Sequence, residues 1–334
     1  MLRPFLILAF LAAAPTVAAA EPSAKQLFGS QPLPTAAPPR PIGFYAKGCM
    51  AGAVQLPPDG PHWEAMRLSR NRQWGLPVLV GFIEKLAADA AAKDGWPGLL
   101  IGDMSQPRGG PMVSGHASHQ IGLDVDIWIN PMPSHRLTED EREKMSAISV
   151  ADPGPHEIFA DRWTPAHGRL IRRAALDPRV ERIFVAPGIK KELCATAGSD
   201  RDWLRKVRPY YGHNDHFHVR LSCPAGTSCK SQSPPPTGDG CGKDLDYWFS
   251  AEPYKSPTKP VKPPRPVMLS DLPPACAVVL TDDAAPGAMT MRQAFRAESG
   301  YAGPVDAAPV VSDQAQAQEG MTEARLPRPR PNVE

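Results

Sequence analysis

The chain has no excess of charge: 37 lysines and arginines stand against 35 aspartates and glutamates, a net charge of +2 in 334 residues. That near-balance offers no field to draw nucleic acid or an anionic membrane surface, and neither is expected as a partner. No GxSxG elbow, HExxH helix, P-loop, dinucleotide fingerprint or CxxC pair occurs. The serine-hydrolase, helix-borne zinc protease, nucleotide-binding and thiol-redox classes lose their usual marks. Past the first twenty residues no apolar run is long enough to cross a bilayer, so integral membrane association is not expected. Aromatic residues are sparse at 7%.

Proline is plentiful instead, at 41 residues gathered towards the two ends and one internal tract. Arg3 precedes an apolar stretch from Phe5 to about Ala14, and Ala18 and Ala20 suit a cleavage site before Glu21. Residues 1–20 therefore read as a secretory signal peptide, being too short for a membrane anchor. Six cysteines, Cys49, Cys194, Cys223, Cys229, Cys241 and Cys276, follow in what is then an oxidising compartment. Three disulfides are expected among 15 possible pairings, and spacing alone does not choose.

Periodicity gives a coarse map. A helix is expected from Pro77 to Asp94, with Val78, Phe82, Leu86 and Ala90 at helical spacing. Gly98 to Asp103 reads as a buried strand, and Thr138 with Glu141 as a capping box. Helices from Thr164–Pro165 to Leu176 and from Gly188 to Gly198 flank a strand at Val180–Val185. Ser199 and Asp202 are expected to cap the next short helix. Residues 21–41 should wrap the surface as an extended segment, 42–280 form the body, and 281–334 form a disordered tail. Helices and strands mix without a regular βαβ rhythm, so the fold class is α+β.

Histidine and aspartate crowd into two segments, Ser114 to Trp128 and His213 to Arg220. In the first, Leu123, Val125 and Ile127 alternate with Asp124, Asp126 and Trp128, so a strand would carry both carboxylates on one face. Gly122 would let the preceding loop, with His116 and His119, fold over that face. In the second, His216 and His218 share a face and Phe217 and Val219 take the other. Pairing the two strands would bring imidazole against carboxylate, a donor set that zinc accepts. His119, Asp126 and His218 would be three ligands with a fourth position open for water. His216 would move the proton, His213 would steady the tetrahedral intermediate, and Asp124 or Asp215 would orient an imidazole from behind. Arg108 and Arg220, near the two motifs, would suit substrate carboxylates, although a purely structural role fits each as well.

The runs SGHASHQIGLDVDIW, RIFV, KKELC, DRDWLRKVRP, HVRLSCP and TGDGCG resemble the penicillin-insensitive murein endopeptidases, within the wider group of lysostaphin-like, D-Ala-D-Ala-type and hedgehog-type zinc folds. The likeness covers roughly residues 40–280. It implies a small antiparallel sheet that carries the zinc site, with helices packed around it and disulfide-stapled flanks. It implies His119, Asp126 and His218 as zinc ligands, His216 and His213 as catalytic histidines, and His116 as a further metal-associated histidine. A second zinc would fall at Asp152 and His156, where the local spacing departs from the family pattern. The implied disulfides are Cys49–Cys276, Cys194–Cys241 and Cys223–Cys229. The implied substrate is peptidoglycan, cut at D-alanyl–meso-diaminopimelyl cross-links and, in some members, between two diaminopimelyl residues, in the periplasm. Two rivals stand beside this: a zinc-stabilised binding module, and a carboxypeptidase that trims terminal D-Ala. A homodimer is compatible with the sequence, which does not specify one.

Overall fold

The computed structural model describes residues 21–154, 157–255 and 265–300. Its strands are β1 (Arg40–Phe44), β2 (Lys47–Ala51), β3 (Val54–Gln55), β4 (Asp59–Gly60), β5 (Trp63–Ala65), β6 (Trp74–Gly75), β7 (Leu99–Ile101), β8 (Asp124–Trp128), β9 (Val180–Val185), β10 (Val207–Pro209), β11 (His216–Leu221) and β12 (Ser228–Cys229). Its helices are α1 (Ala24–Gly29), α2 (Pro77–Asp94), α3 (Glu139–Lys144), α4 (Pro165–Leu176), α5 (Pro187–Thr196), α6 (Lys243–Asp246), α7 (Ala275–Thr281) and α8 (Met291–Ser299). The fold is α+β.

The principal sheet runs β10-β9-β11-β8-β7-β5-β4. Its centre is antiparallel, as the site requires, but β10 runs parallel to β9 and β5 parallel to β7. The antiparallel part expected to carry the site is this centre, and the parallel pairings lie to either side of it. Parallel neighbours need a long crossover rather than a hairpin, and α2 and α5 supply the two crossovers. Val125, Ile127, Ile183, Val185, Phe217 and Val219 leave the sheet on the face away from Asp126 and join Leu79, Phe82, Ile83, Leu170 and Ile171 in the main core. Each such side chain, fully buried, contributes about 1.5–3 kcal/mol. That anchorage fixes which residues remain for the other face.

Local chemistry accounts for the helix ends. Pro77 sits in the first turn of α2, where its missing N–H costs nothing, and Gly95 ends the helix at φ +69°. Thr138 and Glu141 exchange side-chain and backbone hydrogen bonds at the start of α3. The short helix expected to be capped by Ser199 and Asp202 is a 3-10 turn, Asp202–Lys206, whose cap position is Arg201, with Asp202 inside the first turn and no side-chain cap bond.

Two flanks differ from expectation. Residues 21–41 include α1, whose Ala24 and Phe28, four apart, bury beside Ile42, Cys49 and Cys276. The range expected as a disordered tail contains α8. In α8, Met291, Ala294 and Phe295 form a narrow apolar stripe, Met291 and Phe295 pack on Ala65 and Leu68, and Arg142 lies 4.7 Å over the Phe295 ring. Thr290 and Gln293 box its start. That stripe is too short to register as periodicity over fifty residues. The signal peptide expected at 1–20 and the end of the chain, 301–334, lie outside the described residues. Cys49 pairs with Cys276, Cys194 with Cys241 and Cys223 with Cys229.

Candidate metal centre

Strands β8 and β11 pair in the register His218↔Asp126 and Arg220↔Asp124, with Phe184 of β9 opposite His218 on its other side. The period of two in both strands then puts Asp124, Asp126, His216 and His218 on one face. The loop before β8 supplies His116 and His119. Gly122 turns it at φ +73°, where a Cβ would stand 2.3 Å from Met50 Sδ. His119 itself adopts φ +66°, a left-handed backbone that costs a non-glycine residue about 1–3 kcal/mol. Asp124 Oδ2 accepts the His119 N–H at 3.2 Å and helps to hold it there.

Donor atoms converge on Asp126 Oδ1. His218 Nδ1 lies 3.3 Å from it and His119 Nε2 lies 3.5 Å from it. His119 donates its Nδ1–H to the Met104 carbonyl at 2.5 Å, and His218 its Nε2–H to Asp124 Oδ1 at 2.8 Å. Both rings thus turn bare nitrogens towards Asp126, the arrangement that primes a histidine as a metal ligand. His119 Nε2 and Asp126 Oδ1 are buried and have no hydrogen-bond partner. Two ligand atoms on a tetrahedral zinc, each about 2.0–2.1 Å from it, are about 3.3 Å apart. The donor set, its spacing and its unsatisfied atoms fit a metal ion.

The electrostatics agree. Burial works against charge on His218, yet Asp124 and Asp126 outweigh it and raise its pKa. Burial alone would raise the Asp126 carboxyl, but His119, His116 and His216 hold it well below the usual range. Burial pushes His119 down, with Asp126 pulling the other way. The two buried carboxylates create a place that calls for positive charge, and a cation meets that call while leaving both imidazoles neutral.

His116 approaches the other oxygen of Asp126. Its Nδ1 is 3.2 Å from Asp126 Oδ2 and its Nε2 2.9 Å from Asp103 Oδ2. Its ligand atom falls in one group with those of His119 and Asp126, all within 4.8 Å. Its ring stands 4.4 Å from that of His119. His216 donates Nδ1–H to Asp215 Oδ1 at 2.7 Å and leaves Nε2 facing Asp126 Oδ1 at 3.8 Å. Burial opposes its charge, but Asp126 and Asp215 carry its pKa above the ordinary value. His213 donates Nδ1–H to the Tyr211 carbonyl at 2.7 Å, with its ring 4.9 Å from that of His216. Burial, His216 and His218 hold its pKa well down. A neutral His213 with Nδ1–H spent on Tyr211 presents an acceptor at Nε2, which does not suit the expected steadying of an oxyanion.

Other expected roles are not supported by position. Arg108 is buried and donates to the carbonyls of Leu33, Val279, Leu280 and Asp282, so it staples the two flanks rather than meeting a ligand. Arg220 is buried against Asp124, Gln232 and the Tyr45 ring. Asp152 accepts the Gly154 N–H within its own turn, and His156 lies outside the described residues. Sequence reasoning passed over Asp103. It closes the expected strand Gly98–Asp103 and orients His116, itself held below the usual carboxylate range, against its burial, by Arg72 and His116. An acid at the end of a buried strand was the available signal.

A sheet face that gathers imidazole and carboxylate around unsatisfied donor atoms, with a histidine–aspartate pair beside it, is compatible with a metal-dependent hydrolase. The family of penicillin-insensitive murein endopeptidases matches residues 41–281, and the chain belongs to that family. Penicillin-insensitive murein endopeptidases of Haemophilus influenzae and Klebsiella pneumoniae subsp. pneumoniae are 45% and 46% identical over 235 and 243 residues. These alignments cover 70% and 72% of this chain and 82% and 86% of theirs. A Yersinia enterocolitica relative of the same description is 44% identical over 249 residues, 74% of this chain and 87% of its own.

Proposed function

We propose that the chain is a zinc-dependent endopeptidase that cuts peptidoglycan cross-links in the periplasm, with the D-alanyl–meso-diaminopimelyl bond as the first candidate and the link between two diaminopimelyl residues as the alternative. The observation that carries the metal is the approach of His119 Nε2 and His218 Nδ1 to Asp126 Oδ1, with two of these atoms buried and unsatisfied. A zinc ion held by these three donors would supply Lewis acidity and a water ready to attack at neutral pH. Leader-like residues 1–20 and three disulfides support the periplasmic setting.

The protein's own side chains do the rest. His216, fixed by Asp215, presents Nε2 to the cluster, takes the proton from the attacking water and passes it to the departing amine. His213 offers an acceptor at Nε2 that orients the water or a substrate N–H. Asp124 keeps His218 in the tautomer that leaves Nδ1 bare. His116, between Asp103 and Asp126, closes the outer side of the cluster.

Digestion of purified cross-linked muropeptide dimers tests the reading. Conversion to monomers that stops with a chelator and returns with zinc is the expected result. Intact dimers beside a tightly held zinc would point to a binding module. Loss of terminal D-Ala alone would point to a carboxypeptidase.

A further inference from the structure

Behind His218 lies a chain of contacts that neither metal ligation nor proton transfer requires. Asp124 Oδ1 accepts from His218 Nε2 and from Arg220 Nε, both at 2.8 Å. Its other oxygen accepts the His119 N–H, so one carboxylate braces two expected ligands. Arg220 stacks 4.2 Å over the Tyr45 ring and donates through Nη1 to Gln232 Oε1 at 3.0 Å. Arg182 stands directly opposite Arg220 on β9, equally buried, and donates to the Ser233 carbonyl. Two guanidinium groups in cross-strand register repel. Consecutive residues of one segment, Gln232 and Ser233, give each an acceptor. That segment is pinned before and after by the Cys223–Cys229 and Cys194–Cys241 disulfides.

We propose that Arg220 and Gln232 are positioning residues for metal retention. The disulfide-pinned strap holds Arg220, Arg220 holds Asp124, and Asp124 fixes the ring of His218 with Nδ1 towards the ion. The inference rests on the zinc reading above. Without the fork of Arg220, Asp124 keeps its burial but loses the contact that aims it, and the His218 ring gains freedom. Arg182 provides the matched comparison, since it shares the burial, the charge and the strap but does not touch Asp124.

The test uses the full mature chain loaded with one zinc, with release into excess chelator followed by absorbance. The cobalt-substituted protein gives a second reading through its visible spectrum. Arg220→Met should release zinc about 10–100-fold faster, the range typical of groups that orient metal ligands. Gln232→Leu should move in the same direction by a smaller factor and shift the cobalt spectrum, and Gln232→Glu, which keeps an acceptor, should restore both. Arg182→Met should lower the melting temperature but keep wild-type release. If Arg220→Met does not fold, the Gln232 pair decides. Wild-type release from Gln232→Leu, or equal zinc loss from Arg182→Met and Arg220→Met, would overturn the inference. A wild-type chain that takes up no zinc would instead overturn the metal reading beneath it.

Discussion

Asp126 and His218 face each other directly across β8 and β11, with Oδ1 and Nδ1 3.3 Å apart. Nothing in the backbone ladder needs that pair to be acidic and basic. A strand pair with apolar residues there would be as well hydrogen-bonded and better packed. With His119 the pair forms a donor set that fits a metal ion.

The His216–Asp215 pair should matter for turnover and not for metal content. His216→Ala is expected to lower kcat by about 10²–10⁴-fold, the usual worth of a placed acid–base group, with one zinc still bound. Asp215→Asn should fall in the same direction by less, since His216 keeps its place but loses the partner that aims it. Muropeptide kinetics beside elemental analysis of the same samples checks this. Loss of zinc from His216→Ala would make His216 a ligand instead.

Arg108 should act on stability alone. It is buried with four backbone carbonyls from both flanks around its guanidinium. Arg108→Met leaves those carbonyls short of a donor, at about 1–3 kcal/mol for a buried unsatisfied group. The melting temperature should drop, while the KM for muropeptide dimers measured well below it stays unchanged. A large rise in KM would restore the substrate-carboxylate role expected from sequence.

Lys190 predicts a pH dependence of folding away from the cluster. Burial first, then Arg208, bring its pKa down from 10.5 to about 7. Between those values the unfolded chain binds a proton that the folded chain has released. The site's contribution to stability therefore rises with pH from about 7 to 10.5 and is least below 7. Lys190→Met loses the hydrogen bonds to the Leu204 and Asp239 carbonyls but also this penalty. Its deficit in melting temperature against wild type should shrink from pH 9 to pH 6. A constant deficit would contradict the assignment.

The polar face was legible because a strand repeats every two residues, and both segments keep that period around bulky aliphatics. Asp124, Asp126, His216 and His218 could thus be put on shared faces, and Asp124 or Asp215 behind an imidazole. The structure gives each carboxylate its own ring: Asp124 to His218 and Asp215 to His216. Contacts between distant parts of the chain were not legible. Asp103 reaches His116 across a turn, and Gln232 reaches Arg220 from a proline-rich strap with no periodicity to read. The parallel pairings of the sheet escaped for a like reason, since each depends on where a helix returns the chain. The short stripe of α8 was lost against the polar residues around it.

The most direct test of the account is a zinc titration of metal-free protein, with cross-link cleavage followed in the same samples. Activity should rise linearly and level off at one equivalent, and His119→Ala, Asp126→Ala and His218→Ala should each fail to retain that equivalent. Full cleavage without metal, or a full equivalent of zinc kept by all three variants, would contradict it.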